Sequence, residues 1–200
     1  MRENRGSEIV KELTGRDVPT ILDPVFFLSK NEWLERIPNK REINEPYIFA
    51  YFLGATQEYR NAVKKLAHDK GMKVVALRHM DQYVEEDENF GDFAPYDVSP
   101  ERFLNLLRNA EYVCTDSFHG TAFSIMFHKP FYVFGRNRHK VNSRMESLLS
   151  MFELSNRYIH SAGDYIGEQI SEIDWVKIES MKSRFLNRSE TFIQMALTES

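Results

Sequence analysis

The sequence predicts an α/β domain built on an open parallel sheet with helices on its faces. Two observations carry that reading. Short apolar runs recur at Tyr47–Leu53, Lys73–Leu77, Glu111–Cys114 and Phe131–Phe134, and such runs suit strands buried on both faces, as parallel strands are. The segments between them are long enough for crossover helices and patterned like them, which parallel pairing requires.

Each element follows in order. Ile9, Val10 and Leu13 have helical spacing within Ser7–Leu13. The apolar run Val18–Leu22 is stopped by Asp23-Pro24, and Asn31–Ile37 reads as a short helix. After the first strand, YIFAYFL, Gln57–Lys70 places Tyr59, Val63, Leu66 and Ala67 on one helical face and is closed by Gly71. KVVAL is the second strand. Ser99-Pro100 starts the next helix, with Ser as N-cap and Pro at the first helical position, and Phe103, Leu106 and Leu107 form its apolar face. The Glu111–Cys114 strand leads to a helix over Thr121–Phe127, and FYVF is the last strand. A long polar helix over Ile173–Leu197 carries Trp175, Ile178, Met181, Phe185, Phe192 and Ile193 near one side. The chain divides into residues 1–45 with the first helices, 46–160 with the sheet, and a helical segment at 161–200.

Composition excludes several classes. Of 200 residues, 42% are hydrophobic and 13% aromatic, enough apolar surface to offset ordering entropy. The net charge of -4 gives no global basic field of the kind a dedicated nucleic-acid binder needs. A single Cys excludes a disulfide scaffold and a multi-cysteine metal site. No apolar run is of membrane-spanning length and no signal-peptide core follows Met1, so a cytoplasmic location is expected. No dinucleotide fingerprint, P-loop, zinc-protease or nucleophile-elbow motif occurs. Cys114, inside an apolar strand, reads as a buried thiol; His68, His79, His128 and His160 have no ligand spacing and read as background.

Two segments of opposite charge stand out. Asp81–Asp97 carries acids and no base, and reads as a solvated loop, although its Tyr83, Phe90, Phe93 and Tyr96 suit a lid or a domain contact. Gly135–Arg144 reads as a basic loop, with Arg136, Arg138, His139, Lys140 and Arg144 and no acid.

The chemistry concentrates at Tyr112–Thr121, where a strand ends, small polar residues follow and a helix begins. Ligands of open α/β sheets sit beyond the carboxyl ends of strands, and helix starts bind anions. Ser117 can cap the helix, Gly120 lets a ligand approach the backbone, and His119 brings a ring that exchanges a proton near neutral pH. The next strand ends at the basic segment, so two adjacent strand ends offer a helix start, a His and several Arg and Lys to a phosphate- or carboxylate-bearing ligand.

At these residues the sequence resembles a known family. The stretch SPERFLNLLRNAEYVCTDSFHGTAFSIMFHKPFYVF, Ser99 to Phe134, is similar to the C-terminal part of polysaccharide pyruvyl transferases, as are Met1-Arg2-Glu3 with Asp23-Pro24, and Asn142-Ser143-Arg144-Met145 with Leu148-Leu149. The resemblance implies a Rossmann-like sheet forming the C-terminal half of a two-domain, GT-B-like fold. It makes residues 1–45 an interdomain-like segment and 46–160 the donor-binding domain. It implies transfer of a pyruvyl group from phosphoenolpyruvate to two hydroxyls of a saccharide acceptor, releasing phosphate, with no metal or organic cofactor inherent in the chemistry. His119 falls on the family's His-Gly as acid or phosphate contact, and Arg2 and Arg144 on its early and late arginines. Ser117, Gly120, Thr121, Arg136 and Lys140 complete the expected substrate contacts. Ser117-Phe118 stands where many relatives have Arg-Leu, which leaves one basic contact to be filled, with Arg136, Arg138 and Lys140 as candidates. A missing N-terminal domain, or another chain, is the expected partner and the expected home of the acceptor-side base. A sugar-nucleotide glycosyltransferase half and a non-catalytic interaction module are the alternatives.

Overall fold

A computed structural model describes residues 1, 3–38, 40–136, 139–160 and 172–198, with residues 139–141 described by their backbone. The chain forms a five-stranded sheet of order β2-β1-β3-β4-β5, parallel throughout. The strands are β1 (Tyr47–Tyr51), β2 (Lys73–Leu77), β3 (Tyr112–Thr115), β4 (Phe131–Phe134) and β5 (Tyr158–Ile159). The helices are α1 (Asn4–Thr14), α2 (Lys30–Glu35), α3 (Gln57–Lys70), α4 (Pro100–Asn109), α5 (Phe118–Met126), α6 (His139–Met151) and α7 (Trp175–Thr198).

Alternate strand residues face two separate apolar layers, which is why the strands read as unbroken apolar runs. Phe49, Val75, Val113, Phe131 and Val133 face a layer built by α4, α5 and α6, joined by Leu22, Val25 and Phe26 from the N-terminal segment and Ile178 and Met181 from α7. Ile48, Ala50, Val74, Ala76, Cys114 and Phe134 face the other layer, covered by Tyr59, Val63, Leu66 and Ala67 of α3 and by Phe90. The expected caps are present: the Ser99 hydroxyl accepts from the Arg102 N–H, and Gly71 ends α3 in the left-handed region at φ 62°, a conformation that costs glycine little. The β5 strand was not expected, since two residues carry no periodicity.

The acidic stretch after β2 is built into the fold rather than merely solvated. The Ala76 N–H donates to the Phe93 carbonyl (2.9 Å) and the Val74 N–H to Asp92 Oδ2 (2.8 Å), so this stretch runs along the free edge of β2 and shields it. Phe90 is buried in the second layer. Asp87 is buried as well, because it neutralises the buried Arg60, whose Nε and Nη2 donate to Asp87 Oδ1 at 3.0 and 2.5 Å. Tyr83 and Tyr96 remain exposed.

The long final helix docks on the chain's own core. The buried Leu22 N–H donates to the buried Ser189 hydroxyl (3.0 Å), and Trp175 stacks on His128 at 5.0 Å. Glu179 accepts from His128 Nε2 (2.8 Å) and pairs with Lys182 (2.6 Å). Val176, Met195 and Leu197 keep exposed side chains. No helix among the described residues is long and apolar enough to cross a membrane.

Candidate functional site

The carboxyl ends of β1, β3 and β4 meet at one place, and a buried carboxylate organises it. Asp116, 1% exposed, follows β3 and accepts the N–H groups of Leu53 (2.6 Å) and Gly54 (2.8 Å) from the turn after β1. Burial pushes its carboxyl up, against the pull of those N–H groups and of Arg136. Thr115 ties the same strand ends together: its hydroxyl donates to the Tyr51 carbonyl (2.6 Å) and accepts the Ser117 N–H (3.0 Å).

From this platform α5 rises. The Ser117 hydroxyl accepts the Gly120 N–H (3.3 Å) as N-cap. Gly120 is needed for contact: a Cβ there would lie 2.7 Å from Thr115 Oγ1, so the first turn of α5 sits directly on β3. Thr121 is fully buried and its hydroxyl donates back to the Ser117 carbonyl (2.9 Å), so it holds the turn rather than facing solvent. His119 is the exposed residue of that turn. The first N–H groups of a helix have no intrahelical acceptor, so the turn presents donors and a partial positive charge beside an accessible imidazole.

Two arginines flank the turn. Arg136 follows β4, and its backbone is clamped by Asn142, which accepts the Arg136 N–H (3.0 Å) and donates to its carbonyl (2.9 Å). Its Nε lies 3.8 Å from Asp116 Oδ2 and is buried with no hydrogen-bond partner among the described residues. Arg144 lies over the Phe118 ring at 6.0 Å, and that ring meets His119 edge-on at 5.4 Å. Phe118 thus touches both groups.

The basic segment is therefore only partly the loop expected from its charge. Residues from His139 onward are helical, because the buried stripe of Met145, Leu148 and Leu149 draws the helix back through the basic residues. The three similar sequence blocks come together here: Ser143, beside Arg144, donates to Glu3 Oε2 (2.6 Å), and the Asn4 N–H donates to Ser147 Oγ (3.5 Å). Arg2 and Arg138, and the side chain of Lys140, lie outside the described residues. Cys114 is fully buried, which pushes its thiol up, and no group of metal-ligating side chains occurs among the described residues.

Sequence reasoning named the helix start, His119 and the arginines, of which the structure brings Arg136 and Arg144 to the same turn. It missed Asp116, Thr115 and Asn142, whose partners are remote in sequence or backbone groups. Chemically, the arrangement suits recognition of a small anion by N–H groups and guanidinium forks, next to an imidazole able to transfer a proton.

A search of curated proteins finds no match. Among solved structures, the chain is similar to the UDP-GlcNAc 2-epimerase of Neisseria meningitidis (12% identity, TM-score 0.46), covering 84% of this chain and 49% of that one. It is also similar to the iron-containing dodecameric glycosyltransferase TibC of enterotoxigenic E. coli H10407 (13% identity, TM-score 0.34), covering 92% of this chain and 52% of that one. The chain spans about half the length of these structures. The sequence model of the polysaccharide pyruvyl transferases matches residues 1–138, which takes in α1, both edges of the Asp116 platform and the His119 turn, and the chain belongs to the polysaccharide pyruvyl transferase family.

Proposed function

We propose that this chain supplies the phosphoenolpyruvate-binding side of a ketal-forming pyruvyl transfer to a pair of sugar hydroxyls, on a polysaccharide or its precursor. The observation that carries the reading is the contact of one ring, Phe118, with both Arg144 and the exposed His119 at the capped start of α5. Phosphoenolpyruvate is a compact anion with a phosphate and a carboxylate. The α5 N–H groups, Arg144 and Arg136 offer what such a ligand needs, since guanidinium forks match both groups.

In the reaction one sugar oxygen bonds to C2 of the enol while C3 takes a proton. The second oxygen then bonds to C2 as the C2–O bond to phosphate breaks. Of the two hydroxyl protons, one replaces the proton given to C3 and the other leaves with inorganic phosphate. His119 is the proton donor to C3 in this reading. A positioned acid contributes about 10²–10⁴-fold.

Titration calorimetry with phosphoenolpyruvate tests the assignment. Wild type should bind, and Arg144→Ala should lose about 10- to 100-fold in affinity, the scale of one charge-assisted contact. His119→Ala should bind more weakly and abolish ketal formation in any assembly that turns over. Absence of binding, or binding indifferent to both substitutions, refutes the proposal; stabilisation by UDP or GDP with none by phosphoenolpyruvate favours a sugar-nucleotide glycosyltransferase.

A further inference from the structure

A second cavity, of about 380 Å³, opens at the carboxyl ends of β1 and β2, beside the Asp116 platform. Tyr51, Phe103 and Tyr96 give its lining aromatic rings, and Arg78, His79 and Asp81 give it polar groups. Its size is at the lower end for small-molecule sites, which run from about 300 to 1,000 Å³.

The walls are fixed by the fold. Tyr51 packs edge-on against Phe103 at 5.2 Å. The stretch leading to Tyr96 is held on the sheet by the Ala76–Phe93 hydrogen bond. Arg78 Nη2 donates to the Phe90 carbonyl (3.2 Å). Asp87 Oδ2 takes both the backbone N–H and ring Nδ1 of His79, each at 2.8 Å, while Asp87 Oδ1 is locked by Arg60. A carboxylate at Nδ1 makes that nitrogen a donor and fixes the ring in the cavity wall.

Charge decides the ligand class. The cavity offers one guanidinium and one carboxylate, with no excess of positive charge for a diphosphate. An aromatic lining that also carries a guanidinium, an imidazole and a carboxylate matches a neutral polyhydroxylated ring, whose C–H face packs on an aromatic plane while its hydroxyls meet the polar groups. The cavity also shares a wall with the first site, because Leu53 lines it and donates its N–H to Asp116. The geometry points to a monosaccharide-sized binding site in this chain, formed by Tyr51, Phe103, Tyr96, His79, Arg78 and Asp81. Naming that sugar the acceptor rests on the proposed pyruvyl transfer; the binding of a sugar there does not.

Saturation-transfer NMR of the chain with the methyl glycosides of glucose, galactose and mannose tests the site. At least one glycoside should receive saturation, and Tyr96→Ala, which alters an exposed side chain, should weaken it about fivefold or more through the lost aromatic face. Phosphoenolpyruvate binding should not change in that variant. No transfer to any glycoside, or transfer indifferent to Tyr96→Ala, overturns the inference, as does Tyr96-dependent binding of UDP without any glycoside signal. A failed phosphoenolpyruvate titration beside a positive glycoside result counts against the proposed reaction alone.

Discussion

Replacing Gly120 with alanine opposes two physical effects of known size. Within a helix the change should stabilise by about 1 kcal/mol, because alanine has the better propensity. Here the new methyl would lie 2.7 Å from Thr115 Oγ1 and 3.1 Å from its Cγ2. Thr115 cannot yield cheaply: it is fully buried, and its hydroxyl holds both the Tyr51 carbonyl and the Ser117 N–H. Overpacking of this kind costs about 1–3 kcal/mol, and each hydrogen bond lost in relief costs about 1 kcal/mol more. The expected net is a destabilisation of about 1–2 kcal/mol, or about 3–6 °C in Tm for a chain of this size. Denaturant and thermal unfolding of wild type, Gly120→Ala, Thr115→Ala and the double variant measure it. The double variant should be more stable than the sum of the single changes by at least about 1 kcal/mol, the mark of a direct contact. A Gly120→Ala protein as stable as wild type, or additive changes, would refute the account of how α5 is seated.

Other consequences follow from the same packing. Asp87→Asn strips the buried Arg60 of its counter-charge and should cost about 3–5 kcal/mol. Burial pulls the Asp87 carboxyl up, but His79 and Arg60 outweigh it and hold it below the usual range. Its stabilisation is therefore present above the unfolded value near pH 3.9 and lost as pH falls through the lower folded one. Acid unfolding should accordingly be less steep in Asp87→Asn below about pH 4. Ser189→Ala leaves the buried Leu22 N–H without its acceptor and should cost about 1–3 kcal/mol; hydrogen exchange should show α7 opening at lower free energy while the sheet keeps its protection.

Legibility in the sequence tracked the range of the interactions. The strands that became β1 to β4 were visible because burial on both faces demands unbroken apolar runs. The starts of α4 and α5 were visible because a cap is a contact over three residues, as between Ser117 and Gly120. The helix through the basic segment was hidden because adjacent charges masked a stripe that begins at Met145. His79 looked like background because nothing nearby in sequence announces that Asp87 will be buried against Arg60.

Local patterning thus determined the parallel α/β architecture, the family and the position of the His119 turn, since each is written in short-range spacing. Tertiary structure decided what surrounds that turn. Asp116 meets N–H groups 62 and 63 residues earlier in the chain, and the Glu3 carboxylate meets a hydroxyl 140 residues later. The second cavity exists only because the acidic stretch folds along the edge of β2. Such encounters are set by sheet order and by the need to pair buried polar groups, conditions that only the folded chain imposes.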